Sequence, residues 1–358
     1  MNSNRLIIDG HLDLSMNAME WNRDIRRPVE EIRILESGLT DKPDRGNSTV
    51  SFPSMRAGNI GLCFGTLIAR YAKPSHPLGG WQSPEQAWSM VQAQLAWYNE
   101  MERQGELRMI KTADDLKDHL SQWNNVEGYS KIGFLLTLEG ADSIVTFEHL
   151  EILHKSGLRA IGPAHYGPGT YAYGTNSDGS IGENGKQLLQ KMETMGLALD
   201  ATHLCDRSFW EAINVFHGTL WASHNNCRSL VDHNRQFSDA QIKVLIERDA
   251  VIGLALDAWM MVPNWQKRIS NPQNTSVLLD HMIDHMEHIC NIAGNTDHIA
   301  IGTDLDGGFG KEQSPSDIDT IADLQKLTRL LDKRGFSEYD IDAIFHKNWL
   351  RKLNELLT

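Results

Sequence analysis

Six residues of the types that bind divalent metal ions follow short apolar runs in this sequence. They are His11, Asp13, Glu139, His203, His224 and Asp304. Residues two apart on a strand point to the same side, so His11 and Asp13 could together hold one ion. His203 and His224 could hold a second ion, and Glu139 could bridge both because a carboxylate has two oxygens. Three imidazoles and three carboxylates suit zinc or a related first-row metal. We therefore predict two divalent ions as cofactors, with zinc foremost.

Each of these signals is weak when taken alone. An H-x-D pair is a short motif, a histidine at a strand end is commonly a satisfied polar residue or cap, and a single Glu or Asp is usually solvated. The joint pattern is stronger, because all six residues stand at the C-terminal ends of predicted strands, where barrel enzymes place their chemistry. We therefore favour a metal site over scattered solvated groups.

A second group of histidines lies in the segment HMIDHMEH, which has helical periodicity. His281 and His285 have the i, i+4 spacing of a helical metal pair, and His288 follows. The residue after His281 is Met rather than the Glu of an H-E-x-x-H motif. Because this helix would lie outside a barrel, far from the strand ends, we interpret these histidines as a polar helix face.

The elements that must position the six residues are predicted from hydrophobic patterns. Eight short, β-rich apolar runs are interpreted as strands, over 5–13, 59–69, 131–139, 158–165, 196–203, 219–224, 250–257 and 298–304. Helical periodicity lies between them, for example over 84–103, 147–156, 184–194 and 238–248. Eight strands alternating with helices predict an α/β fold with a parallel sheet buried on both faces.

An open doubly wound sheet would also satisfy this pattern. A single (β/α)8 TIM barrel over residues 1–358 is favoured by the count of eight. It is also favoured by polar residues at the ends of many strands, since an open sheet gathers its ligands at one crevice. The polar stretch 21–53 is predicted to be a long loop after the first strand, which could act as a lid. The Gly/Tyr-rich stretch 167–182 is predicted to be a second irregular loop on the active face.

The composition argues against several classes of partner and site. The chain has 358 residues, 41% of them hydrophobic, with 34 Lys and Arg against 47 Asp and Glu, which gives a formal charge of −13. This acidic balance argues against nucleic acid and anionic membrane surfaces as partners. Four scattered cysteines without a C-x-x-C pair argue against a disulfide framework or a thiolate zinc site. With no signal peptide or bilayer-spanning run visible, we expect a cytoplasmic protein.

The segments DGHLD, LEG, ATH, SH and GTDLDGG, in this order and spacing, resemble the membrane (renal) dipeptidase family of the amidohydrolase superfamily. The resemblance covers residues 9 to about 308. It implies that five of these residues keep the pairing given above, with the H-x-D pair on one ion, the two later histidines on the other and Glu139 between them. It also implies that Asp304 sits by the first ion and shuttles a proton.

Two further residues acquire roles from the resemblance. His165, which closes the fourth predicted strand in GPAH, matches a family histidine that steadies the oxyanion. Arg235, in DHNRQFSD, matches an arginine that grips the terminal carboxylate of the substrate. From the residues alone, a structural hydrogen bond for His165 and a solvated or helix-capping Arg235 stay open. The predicted catalytic residues are therefore Asp304, His165 and the bridging Glu139.

The sequence departs from the family pattern in two places that face the substrate. Tyr166 follows the fourth-strand histidine, where the family usually has Asn. The seventh predicted strand ends in LALDAWM, with Asp257 and Trp259, where the family usually has an Asn-aromatic-Tyr stretch. We therefore predict Tyr166 and Asp257, together with Arg235, as substrate-binding residues of an altered pocket. The disulfides and lipid-anchor signal of the membrane-bound members are also missing.

These inferences predict metal-dependent hydrolysis of the amide bond of dipeptides or similar small amidated amino acids. The first alternative is another hydrolase on the same site, acting on a lactone or a phosphoester or by deamination, because fold and metal site do not choose among these. The second is a non-catalytic barrel protein, although such descendants normally lose ligands. The expected partners are a dipeptide or other small-molecule substrate and a second copy in a homodimer.

Overall fold

The parallel sheet is seen in a computed structural model that describes residues 4–72, 78–125, 130–266 and 269–358. Nine strands lie within these residues: β1 (Ile7–Leu12), β2 (Ile60–Ile68), β3 (Leu107–Met109), β4 (Ile132–Glu139), β5 (Leu158–Gly162), β6 (Ala198–Asp200), β7 (Leu220–Ala222), β8 (Val251–Leu254) and β9 (Ile299–Ile301). They pair in parallel in the order β1-β2-β4-β5-β6-β7-β8-β9, and β3 pairs with β4 outside this path.

All eight predicted strands are present, which confirms the (β/α)8 prediction. The short β3 was not predicted, because three residues are too few to show a period. Several strands end earlier than predicted. Since β5 stops at Gly162 and β6 at Asp200, His165 and His203 lie in the turns beyond the ladder. These two histidines therefore project from strand-to-helix turns at the C-terminal mouth of the barrel, whereas His11 and Glu139 lie within the last two residues of β1 and β4.

The seam between β1 and β9 brings the sheet back onto itself. The buried Asp9 carboxylate accepts hydrogen bonds from the Thr303 N–H at 2.9 Å and the Thr303 hydroxyl at 2.6 Å. Next to it, the Asp304 N–H donates to the His11 carbonyl at 3.3 Å. These bonds join residues almost 300 positions apart in the sequence. They bring the C-terminal ends of the first and last strands together at the mouth of the barrel.

Helices fill the connections between the strands. The α-helices of the described residues are Leu14–Met19, Val29–Leu35, Phe52–Ala57, Pro84–Arg103, Ala113–Asn125, Phe147–Lys155, Gly182–Thr194, Asp206–Val215, Asp239–Glu247, Ala258–Met261, Asp280–Ala293, Lys326–Lys333, Glu338–Asp342 and Asn348–Leu357. The predicted helix over 84–103 is found with those bounds, and Ser238 caps the helix after β7 through a reciprocal bond with Gln241, as its sequence indicates.

Shorter turns of helix complete the chain. The 3₁₀ segments are Ala141–Ser143, Lys311–Gln313 and Ile321–Gln325, and a π-helical turn covers Ala343–Lys347 just before the last α-helix. No helix in the described ranges is both long and apolar enough to cross a bilayer. The four cysteines, all within the described residues, are free thiols.

The inside of the barrel is filled by its own side chains and by the last helix. Trp349, on that helix, is buried against Phe64 of β2, with ring centroids 4.7 Å apart. Its indole N–H donates to the Ile301 carbonyl at 2.8 Å. Near the mouth, a Cβ on Gly302 would lie 1.8 Å from the Ser223 carbonyl oxygen, so only glycine fits there. The interior is thus a packed core rather than a channel.

The stretch 21–53 is not the irregular loop that was predicted, because it contains the helix Val29–Leu35 and a buried ionic network. Arg23 donates to Glu36 at 2.8 Å and to Asp44 at 2.9 Å, all three being buried. The Asp306 carboxylate accepts from the Thr49 N–H at 2.7 Å and from the Thr49 hydroxyl at 2.6 Å. These buried charges are the reason that the sequence of this stretch shows little periodicity. Through Asp306, the stretch 21–53 is also hydrogen-bonded to the turn that carries Asp304.

The stretch 167–182 is an irregular segment, as predicted. It is held by short bridges between Tyr166 and Thr175 and between Pro168 and Tyr173. A Cβ on Gly174 would lie 1.9 Å from the His165 carbonyl oxygen, so this loop packs directly on the β5 turn. It therefore brings Thr175 next to the mouth of the barrel.

Candidate metal centre and substrate cavity

The six predicted metal ligands converge at the mouth of the barrel. The Nε2 atom of His11 lies 3.7 Å from an oxygen of each of three carboxylates, those of Asp13, Glu139 and Asp304. His11 and Asp13 are buried, as is Glu139 at the last position of β4. His11, Asp13 and Glu139 lie close enough together to hold one cation, and Asp304 approaches the same imidazole.

A second group meets the other oxygen of Glu139. Its Oε1 lies 3.1 Å from Nε2 of His203 and 3.4 Å from Nε2 of His224, whereas its Oε2 faces His11. The two histidine Nε2 atoms are 3.1 Å apart. Glu139 therefore stands between the two groups with one oxygen toward each, which is the geometry a bridging carboxylate needs.

Unpaired buried atoms indicate that this centre is built for cations. Nε2 of His11, Oδ1 of Asp13 and Oε1 of Glu139 are buried, and none has a hydrogen-bond partner among the described residues. Leaving such atoms without partners costs free energy, the more so for ionised groups. Nitrogen and carboxylate oxygen are ligands that divalent first-row metals accept. The donor set and its unmet bonding capacity therefore fit two divalent ions.

Hydroxyl groups behind the histidines fix their orientation. The Thr175 hydroxyl lies 3.0 Å from Nδ1 of His203, and the Ser223 hydroxyl lies 2.9 Å from Nδ1 of His224. Each hydroxyl engages Nδ1, so Nε2 is the nitrogen that points at Glu139. Outer partners of this kind set the tautomer and orientation of metal-binding histidines.

Backbone strain is stored at two of the six residues. His203 has φ of 69° and Asp304 has φ of 58°, both in the left-handed region that non-glycine residues seldom adopt. Such conformations cost of order 1–3 kcal/mol each and persist where the surrounding structure enforces them. The turns beyond β6 and β9 are therefore held in shapes that aim these side chains inward.

The protonation equilibria reflect crowded, buried charge. Burial lowers the pKa of His11, but Glu139, Asp13 and Asp304 outweigh burial and raise it to about 10. Burial raises the pKa of Glu139 to about 7, and burial also raises the pKa of Asp304. For His203, burial and then the nearby Arg235 lower the pKa. The raised pKa values mean that protons would compete with metal ions for His11 and Glu139. The excess of carboxylates at this centre favours the binding of cations.

His165 and Arg235 both reach the site. The His165 ring lies 4.5 Å, centroid to centroid, from that of His203. Arg235 is buried, donates to the His224 carbonyl at 2.8 Å and also donates to Asn225. Burial lowers its pKa, and carboxylates around the site oppose this effect. Arg235 is thus neither solvated nor a helix cap, and it faces the same narrow cavity as Glu139, His203 and Asp304.

The residues at the two places where the sequence departs from the family pattern form part of the wall of that narrow cavity. Asp257 is buried, and its carboxylate accepts from the Trp259 indole N–H at 2.6 Å and the Gln313 amide at 2.8 Å. Burial raises the pKa of Asp257 to about 7. Tyr166 lies with its ring 5.3 Å from that of His203, and burial raises the pKa of its hydroxyl. Tyr166, Asp257 and Trp259 all line the cavity.

The helical histidines are separate from this site. They lie on the helix Asp280–Ala293, and none of the possible metal groups among the described residues includes them. The interpretation as a polar face is wrong for His285, which is buried. Its Nδ1 accepts from the Cys227 N–H at 3.1 Å and its Nε2 lies 3.2 Å from the Met261 carbonyl. His285 therefore anchors the turn after β7, and burial lowers its pKa to about 4.

Three residues near the site were not found from the sequence. Arg70 follows β2 and lines a wider outer part of the cavity, beyond the narrow part that Arg235 faces; its place after a strand could have suggested this position. Thr175 sits in a loop whose pairing has no sequence signal. Asp306 follows Asp304 by two positions, but its partners lie in the stretch 21–53, more than 250 residues away. Only the fold brings these groups to the site.

The chain is similar to known proteins over almost its whole length. A family model described as "Membrane dipeptidase (Peptidase family M19)" matches residues 1–357. The chain is 23% identical to Dipeptidase aclJ of Aspergillus oryzae over 357 residues, which are 98% of this chain and 78% of that protein. Matches with three other curated relatives cover 75%, 59% and 57% of those proteins.

Solved structures share the fold. A metallopeptidase called dipeptidase AC aligns with a TM-score of 0.80 at 20% identity, covering 99% of each chain. A metallopeptidase of Rhodobacter sphaeroides, liganded with a phosphinate mimic of L-Ala-D-Ala, aligns with a TM-score of 0.78 at 19% identity, covering 99% of this chain and 100% of that one. These likenesses agree with the (β/α)8 architecture described above.

Proposed function

This chain belongs to the membrane dipeptidase family, and we propose that it is a zinc-dependent dipeptidase that hydrolyses the amide bond of small peptides. The family match indicates metal-dependent dipeptide hydrolysis, and the proposal adds the metal and the residues. The observation that carries it is the placement of Glu139, whose two oxygens face His11 on one side and His203 with His224 on the other. A bridging carboxylate between two donor groups is what a two-ion hydrolytic site requires.

The metal ligands in this proposal are the six residues at the barrel mouth. His11, Asp13 and Asp304 would hold the first ion, His203 and His224 the second, with Glu139 shared. When bound, the two ions supply Lewis acidity, lowering the pKa of water and polarising the scissile carbonyl. Zinc is favoured because imidazole and carboxylate form its usual catalytic ligand sets.

Asp304 is the proposed carrier of the proton. Its carboxylate is within 3.7 Å of His11 and opens onto the narrow cavity. In the metal-free site, burial raises the pKa of this carboxylate, which therefore takes up a proton more readily than a solvated aspartate does. In the proposed reaction Asp304 accepts the proton of the attacking water and returns it to the leaving amine.

Three residues are proposed to position the substrate. Arg235 presents a buried guanidinium for the terminal carboxylate, and His165 presents an imidazole for the charge that develops on the carbonyl oxygen. Asp257, on the wall shared by both parts of the cavity, is placed to accept from the substrate's ammonium group. Tyr166 closes the cavity beside His203 and limits the size of the group that enters.

The proposal is tested with a panel of dipeptides, including L,D pairs because a related protein binds an L-Ala-D-Ala mimic. Enzyme loaded with zinc or manganese should hydrolyse some of them, and Asp304→Asn should lower kcat by about 10²–10⁴-fold, the range for general acid–base catalysis. Failure of every dipeptide with either metal would refute the proposed activity. Metal analysis after gentle purification should find two equivalents.

Arg235 gives a sharper second test. Arg235→Gln should lower kcat/KM for a dipeptide by about 100-fold more than for the same dipeptide with an amidated C-terminus, because only the first carries a carboxylate. Arg228→Gln is the matched control, since Arg228 lies nearby but pairs with Asp206 on the surface. Equal losses on both substrates would assign Arg235 a structural role instead.

A further inference from the structure

The substrate cavity has two compartments, and each contains one arginine. The inner compartment, of about 50 Å³, is lined by the metal-binding groups and Arg235. The outer compartment, of about 540 Å³, is lined by Arg70 and by the aromatic side chains Trp21, Trp265 and Phe309. They share a common wall, which includes Asp257. A substrate held by Arg235 at the metals could therefore extend toward Arg70.

The backbone of Arg70 is fixed at the rim of the outer compartment. Arg70 lies two residues beyond β2, and its carbonyl accepts from the Trp81 N–H at 2.8 Å, while Ala72 N–H donates back to the Trp81 carbonyl at 2.8 Å. The side chain is half-buried. Its Nε donates to the Gly79 carbonyl at 3.3 Å, and its Nη1 lies 3.4 Å from Nδ1 of His165. The guanidinium is thus held beside the proposed oxyanion group.

The charge of Arg70 is not neutralised by contact. In the part of the chain that the structure describes, no carboxylate forms an ion pair with it, unlike Arg23, Arg45 and Arg334. Glu20 acts on it from a distance, and burial raises the pKa of that carboxyl while Arg70 opposes the rise. A half-buried guanidinium facing a cavity, without a carboxylate in contact, is suited to bind an anion that arrives with the ligand.

A dipeptide has one α-carboxylate, and in the proposed function Arg235 takes it. A second anion can then come from a side chain. We propose that Arg70 makes this enzyme selective for dipeptides in which one side chain carries a carboxylate, with that side chain in the outer compartment. The inference rests on the proposed dipeptidase function and adds the class of substrate. Apolar side chains would meet Trp21, Trp265 and Phe309 there without using the guanidinium.

The test compares isosteric substrates that differ only in charge. Dipeptides with Glu are paired with the same dipeptides with Gln, at the first and at the second position, and kcat/KM is measured for each on the zinc-loaded enzyme. We expect Glu to be preferred over Gln by about tenfold or more at one position, as one charge-assisted contact in a half-exposed site provides. Arg70→Gln should reduce that ratio to near one, and Arg70→Lys should keep part of it.

The Glu-to-Gln ratio of kcat/KM is informative even if Arg70→Gln disturbs His165, because a general loss of activity lowers kcat/KM for both dipeptides of a pair. Lys42→Gln is the matched control: the Lys42 ammonium lies 4.2 Å from the Trp21 ring but does not line the cavity. It should keep the Glu preference. If Lys42→Gln removes the Glu preference as fully as Arg70→Gln does, the overall positive charge near the cavity explains the selectivity, and the specific role of Arg70 is refuted. Hydrolysis of dipeptides with no Glu preference refutes the inference while leaving the dipeptidase function intact, whereas no hydrolysis at all refutes both.

Discussion

Replacing Asp257 by asparagine tests the electrostatics of the cavity through protein stability. Burial raises the pKa of Asp257 from 3.8 to about 7, so the folded protein holds its proton more tightly than the unfolded chain does. Below pH 3.8 the carboxyl is neutral in both states and burial costs little. Between 3.8 and 7 the unfolded chain ionises first, and the folded state is progressively penalised. Above pH 7 the penalty is complete.

The size of the effect follows from this difference. A shift of about three pH units corresponds to about 4 kcal/mol when complete, and to about 2 kcal/mol at pH 5. Asp257→Asn removes the charge, and Gln313 can turn its amide to accept from the new NH₂ group while Trp259 still donates. Asparagine does not titrate, so the pH dependence of the difference between the two proteins comes from Asp257 alone. We therefore expect the stability gain from the substitution to be about 2 kcal/mol larger at pH 8 than at pH 5.

The assay is urea unfolding of wild type and variant at pH 5 and pH 8, on metal-depleted protein because bound cations would favour the ionised carboxylate. Asp280→Asn is the control, since Asp280 pairs with Arg334 and its side-chain hydrogen bond to that arginine lowers its pKa. Removing that charge should give no gain that grows with pH. An equal effect of Asp257→Asn at both pH values would mean that Asp257 is ionised throughout, and would refute the argument from burial.

Three further changes have defined outcomes. Thr175→Val should weaken zinc binding by about 10–100-fold in chelator competition, because it removes the hydroxyl that orients His203; unchanged affinity would contradict this role. Gly302→Ala should lower the free energy of unfolding by more than about 3 kcal/mol in a denaturation assay, because the alanine Cβ would collide with the Ser223 carbonyl oxygen. Gly79→Ala is the control: this glycine has open space around it, so the substitution should leave the free energy of unfolding nearly unchanged. Removing the metal with a chelator should lower Tm, because crowded buried carboxylates lose their counter-charge, and excess zinc should restore it; an unchanged Tm would argue against a metal at this centre.

Some expectations from the sequence stay predictions. Zinc as the native metal, the homodimer, the cytoplasmic location and the single domain over 1–358 rest on sequence reasoning. The class of fold and the family are confirmed, since the eight strands form the predicted sheet and the family model spans the chain.

The sequence determined which chemistry is available and roughly where each element lies. Alternation of apolar runs and helical patterns is a local signal, so it located eight strands, the helix over 84–103 and the cap at Ser238. Candidate ligands such as His11 and Glu139 could be predicted because a parallel barrel brings the C-terminal ends of its strands together whatever the connecting segments contain.

Tertiary structure alone decided how those residues act. Barrel closure placed Asp9 against Thr303 and so brought the C-terminal ends of the first and last strands together. Contacts between segments far apart in the sequence determine three further features. They hold the His203 backbone in the left-handed region, bury His285 and turn Arg70 toward the outer compartment. Hydrophobic periodicity is a property of neighbours along the chain, whereas burial, charge balance and ligand geometry arise only when distant segments pack.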